Sequence, residues 1–66
     1  MKNRVREYRM KMGMSQRELA LTVGLTRQTI GLIETFKYNP SLKVCLDIVN
    51  TLGQSLDVVF NPNFFS

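Results

Sequence analysis

Arg27 and Gln28 carry the most specific hydrogen-bonding chemistry in this sequence. Arginine presents a planar fork of N–H donors, and glutamine presents a donor and an acceptor side by side. In a DNA major groove the first grips guanine O6 and N7, and the second grips adenine N6 and N7. Thr29 follows directly, and Leu32 lies on the same outer face; both carry methyl groups suited to a thymine methyl. Away from a recognition motif, these side chains would be ordinary solvated surface. Other chemistries have less to stand on. The chain has no histidine and one cysteine, Cys45, so a zinc site is not expected. No nucleophile has a base beside it, and no glycine-rich phosphate loop is present. Neither an enzyme nor a cofactor is therefore expected.

Reading bases requires a frame that aims Arg27 and Gln28 outward, and residues 16–33 have the pattern of one. Two helices crossing at a steep angle through a short turn form a helix-turn-helix. Leu19, Val23, Leu25, Ile30 and Ile33 are apolar where the two helices must fill the angle between them. Ala20 is small where the second helix passes close. Gly24 sits where the turn calls for a left-handed residue. Ser15 with Glu18 three residues on makes a capping box for the first helix of the pair. Thr26 is an N-cap for the second. The competing interpretation is two amphipathic helices joined by a turn, with no role at DNA.

Phosphate contacts should flank such a helix. Gln16 opens the first helix of the pair, where free N–H groups favour an anion. Thr26 offers a hydroxyl, and Lys37, Tyr38 and Asn39 lie in the loop after Ile33. Each also has a surface or capping interpretation. Arg9 and Glu34 are expected to form an ion pair between helices rather than to touch DNA.

The rest of the chain reads as short helices around this frame. Residues 3–12 carry Val5, Tyr8 and Met12 at helical spacing, and Gly13 ends them. Asn39-Pro40 breaks the chain. Ser41 caps a further helix with Leu42, Cys45, Leu46, Val49 and Leu52 inward, and Gly53 ends it. Residues 55–60 read as one helical turn with Leu56, Val59 and Phe60 inward, or as a short strand. Ser55 as a cap favours the helix, and a strand would need a partner from a second copy. Cys45 is expected in the core.

Length and charge fit a single domain over residues 1–66 that meets a polyanion. Residues 1–43 hold all nine Lys and Arg against Glu7, Glu18 and Glu34, a net +6. Residues 44–66 hold Asp47 and Asp57 and no base. That skew points to a nucleic-acid face at one end and a different face at the other. No apolar run approaches the roughly 20 residues that cross a bilayer. No apolar segment follows the charged N-terminus, so neither a signal peptide nor a membrane is expected. With no disulfide possible within one chain, the cytoplasm is the expected compartment.

The run Ser15-Gln16-x-Glu18-Leu19-Ala20, then Leu25-Thr26-Arg27-Gln28-Thr29-Ile30 and Ile33-Glu34, resembles the Xre family of phage-repressor-type helix-turn-helix proteins. Lys37-Tyr38-Asn39-Pro40-Ser41-Leu42 with Ser55-Leu56-Asp57 narrows the resemblance to the minimal branch that contains the cytolysin repressor. It covers about residues 3–60. The resemblance implies an all-α, five-helix, lambda-repressor-like domain. It also implies a homodimer that represses transcription at an inverted repeat in double-stranded DNA, in a bacterial or phage nucleoid. Gln16, Arg27-Gln28-Thr29 and Lys37-Tyr38-Asn39 match family DNA contacts, and Arg9 with Glu34 matches a buried family ion pair. Gly31 departs from the pattern, standing where relatives often carry a polar base reader.

Phe60, Phe64 and Phe65 would be a costly exposed patch on a monomer. A dimer interface over residues 54–66 is therefore expected, built from Leu56, Val59, Phe60, Phe64 and Phe65. Two alternatives use the same domain differently. An antitoxin would regulate its own operon and bind a toxin through the acidic, aromatic C-terminal third. A protein-interaction module would have lost its DNA contacts.

Overall fold

Val5, Leu19, Ile30, Ile33, Ile48 and Val59 are wholly enclosed in the computed structural model, which describes residues 2–61. They come from five helices: α1 (Val5–Lys11), α2 (Gln16–Val23), α3 (Arg27–Glu34), α4 (Leu42–Leu52) and α5 (Leu56–Val59). One apolar cluster joins them, completed by Ala20, Cys45, Val49, Leu52 and Phe60. No strand occurs among the described residues.

Local sequence signals explain where the helices start and stop. The Ser15 hydroxyl accepts from the Glu18 backbone N–H at 3.0 Å, and Glu18 Oε1 accepts from the Ser15 N–H at 3.0 Å. This closes the capping box at the start of α2. The Thr26 and Ser41 hydroxyls accept from the third helical N–H of α3 and α4. Gly24 adopts φ 74°, the left-handed conformation that turns α2 into α3, and Leu25 N–H closes the turn on Ala20 C=O at 2.9 Å.

The cap makes stability depend on acid. Hydrogen bonds from the Ser15 backbone and hydroxyl hold the Glu18 carboxyl below its ordinary range. A lowered folded pKa contributes stability above the ordinary carboxylate range, and that stability is lost as pH falls through the lowered value. The urea midpoint should therefore fall on acidification, and Glu18→Gln should flatten part of that fall. Identical acid profiles for the two proteins would show that the cap contributes nothing through its charge.

Two inward faces differ from the sequence expectation. In α4 the buried residues are Cys45, Ile48, Val49 and Leu52, whereas Leu42 and Leu46 are 64% and 42% exposed. At about 100° per residue the four buried side chains span an arc of roughly 100°, and Leu46 falls about 60° beyond Val49, outside that arc. In α1 the inward residues are Val5, Tyr8 and Arg9, while Met12 is exposed. The helix has ended by then: Met12 is its C-cap and Gly13 turns the chain at φ 69°. Met14 packs against the core instead.

Residues 56–59 are helical, which resolves the choice between helix and strand. The segment is tied to the start of the chain's first helix: Arg4 N–H donates to Val59 C=O at 2.9 Å. Val59 and Phe60 are buried in this chain's own core. They therefore leave almost no surface for the interface to a second copy that was expected of them. Leu56 is half-buried against the core. Phe64 and Phe65 lie outside the described residues.

Candidate nucleic-acid interface

The site is α3 and the segments that fix its angle. Ile30 and Ile33 bury one face of α3 against Leu19 and Ala20 of α2. The opposite face then presents Arg27 and Gln28, both exposed and with no side-chain hydrogen bond among the described residues. Arg27 is the first residue of α3, and no acid occupies that first turn. A cation at the positive end of a helix dipole costs α3 a few tenths of a kcal/mol, so Arg27 is not there for the helix. Together the guanidinium and the free N–H groups make a positive tip.

Thr29 is less available. It is half-buried, its N–H donates to Thr26 Oγ1 at 3.1 Å, and the two hydroxyls lie 2.9 Å apart. Thr26 therefore acts first as a cap. Lys37, Tyr38 and Asn39 are exposed in the loop after α3.

Gln16 has a second task. Its Nε2 donates to Glu34 Oε1 at 3.0 Å. Arg9 grips the same carboxylate, Nε to Oε2 at 2.7 Å and Nη2 to Oε1 at 3.1 Å, and its Nη1 donates to Met14 C=O at 2.7 Å. Arg9 and Glu34 retain only 9% and 7% of their exposure. Glu34 thus ties α1, the α1–α2 loop and the start of α2 to the end of α3. The network fixes the angle at which the outer face of α3 is presented.

Ion pairing sorts the cations. Arg4, Arg9, Lys11 and Lys43 are paired with carboxylates. Among the described residues, Lys2, Arg6, Arg17, Arg27 and Lys37 have none within pairing distance. Arg17, Arg27 and Lys37 belong to the helix-turn-helix and the loop after it. Sequence reading passed over Arg17; its place beside Gln16 in the first turn of α2 was the signal available.

Gly31 lies on α3 beside this network. A Cβ there would sit 3.9 Å from Gln16 Nε2, an ordinary contact, and the backbone is helical. Gly31→Ala should raise stability by about 0.5–1 kcal/mol, since glycine is costly in a helix interior. A lower unfolding midpoint would mean that Gln16 is displaced from Glu34.

Phe36 was also missed. It adopts φ 66°, the one left-handed residue other than glycine among those described. Phe36 N–H donates to Ile33 C=O at 3.1 Å and Lys37 N–H to Leu32 C=O at 2.9 Å, the two bonds of a Schellman cap on α3. Glycine is usual at that place, and a bulky residue costs about 1–2 kcal/mol there. Ile33 C=O also accepts from Asn3 Nδ2 at 2.9 Å.

Comparison with known proteins places this arrangement. The helix-turn-helix family model HTH_3 matches residues 5–59. An HTH-type transcriptional regulator of Archaeoglobus fulgidus is 43% identical over 60 residues, which is 91% of this chain and 86% of the relative. The regulator YgzD of Bacillus subtilis is 45% identical over 60 residues, 91% of each chain. The restriction-modification controller protein C.AhdI of Aeromonas hydrophila superposes with a TM-score of 0.76 at 36% identity, covering 80% of each chain. The exposed α3 tip, its capped turn and these likenesses agree: the chain belongs to the helix-turn-helix family of transcriptional regulators and carries its Xre-type DNA-binding domain.

Proposed function

We propose that the protein is a repressor that binds an inverted-repeat operator as a homodimer, with α3 in the major groove. Arg27 and Gln28 read base edges, and Thr29 adds its methyl group. Lys37, Tyr38 and Asn39 hold phosphates on one flank. Gln16 and Thr26 hold them on the other, through the helix N-termini that they open. Arg17 joins that second flank. The observation that carries this reading is the pair Arg27 and Gln28, exposed at the tip of α3 with no side-chain partner among the described residues. A homodimer is supported by the aromatic residues after Phe60 and by Leu42 and Leu46, exposed one turn apart on α4.

Selection of bound duplexes from random DNA, with sedimentation at micromolar concentration, tests the proposal. Enriched sequences should hold two related half-sites about 10 bp apart or a multiple of that. Affinity should fall steeply with salt, and Lys37→Ala should reduce the slope of log K against log salt by about 1 per subunit. Salt-insensitive binding without enrichment would defeat the DNA reading, and a monomer on the selected duplex would defeat the dimer.

A further inference from the structure

Phe36 is 44% exposed and is not among the residues packed on the core. It holds a left-handed backbone that glycine would adopt without cost. The turn therefore does not need a phenylalanine, and 44% of the residue stays open to solvent. Strain of this kind persists where a side chain serves another purpose. The neighbours indicate which. Lys37 is adjacent, exposed and without a carboxylate partner among the described residues, and Tyr38 and Asn39 follow it, both exposed. An apolar ring beside a free cation suits a sugar–phosphate chain, whose deoxyribose faces are apolar and whose phosphates are anionic.

We propose that Phe36 is a DNA-contacting residue whose ring packs on a deoxyribose next to the phosphate that Lys37 neutralises. This rests on the reading of the Lys37–Asn39 loop as a DNA flank. The contact carries no base information. It tightens binding to all duplexes and helps to fix the depth at which α3 sits in the groove. The loop thus trades stability of the free protein for affinity.

The test is the Phe36→Gly variant of the full chain, measured for thermal unfolding and for binding to a mixed-sequence duplex of three helical turns. Relief of the left-handed strain should raise the unfolding midpoint by about 4–8 °C. Loss of the ring should weaken binding by about fivefold. Phe36→Ala removes the ring but keeps the strain, so it should lose the same affinity without the gain in midpoint. Opposite signs in one variant separate a binding role from a folding role. A lowered midpoint for Phe36→Gly would make the ring structural and overturn the proposal. Unchanged affinity would overturn it directly. Weaker binding accompanied by a shift to monomer in sedimentation would place the ring between two copies, and would also overturn it. Lys37→Ala on the same duplex separates the two levels of inference. If Lys37→Ala weakens binding and Phe36→Gly does not, only the Phe36 contact fails. If neither does, the loop is not at DNA and the underlying reading fails with it.

Discussion

Glu34→Ala should destabilise the domain by about 3–5 kcal/mol, the cost of stranding a buried charge. The carboxylate accepts from Arg9 Nε, Arg9 Nη2 and Gln16 Nε2. Removing it leaves a buried guanidinium with its Met14 carbonyl contact alone. A core of this size rarely supplies more than about 3–5 kcal/mol, so the variant should be largely unfolded at room temperature. Urea unfolding followed by circular dichroism measures the loss. The informative companion is Arg9→Met with Glu34→Leu. Replacing both charges by apolar side chains of similar volume is often close to neutral, so the double variant should be well above Glu34→Ala. A Glu34→Ala protein within about 1 kcal/mol of the parent would show that water enters and satisfies Arg9, contrary to the burial found here. Recovery of stability in the double variant need not restore DNA binding. Gln16 would have lost its anchor, and the angle of α3 is set through that network.

Arg27→Ala should act on the other ledger. If Arg27 reads a guanine as proposed, losing that bidentate contact costs about 1–3 kcal/mol, or about 5- to 150-fold in affinity for the selected operator. The loss should concentrate at one base position, so discrimination there should relax. Stability should hold or rise by a few tenths of a kcal/mol, because a cation leaves the positive end of α3. Competition of variant operators against the wild-type duplex measures both affinity and discrimination. Lys37→Ala should instead weaken binding to every sequence alike. An Arg27→Ala protein that binds the operator as the parent does would move base reading away from the start of α3.

The two substitutions separate what a linear reading of the chain reaches from what it does not. Arg27 is found by position: Thr26 caps α3, so the next residue is at its tip, and the apolar Ile30 and Ile33 decide which way the tip faces. Arg9 and Glu34 could be paired on paper as two opposite charges on neighbouring helices. Their shared hold on Gln16 could not, because that contact spans 18 residues and depends on the crossing angle. Phe36 is invisible to periodicity. Nothing in Thr35-Phe36-Lys37 announces a left-handed backbone, since glycine is the usual signal for it.

What the sequence by itself determined was local. Ser15 with Glu18, Gly24, Thr26 and Ser41 set helix ends within a few residues of themselves, because caps and turns satisfy the nearest unpaired N–H and C=O groups. The apolar spacing across Gln16–Ile33 determined the helix-turn-helix. Only the tertiary structure decided which faces stay open. Ile48 took the place in the core that Leu42 and Leu46 could have filled, and Val59 and Phe60 closed that core. Gln16 donated its amide N–H to Glu34. In each case several apolar or polar groups satisfied the same local pattern. The choice among them fell to the position of elements far along the chain, where burial and hydrogen-bond geometry, not spacing, set the energy.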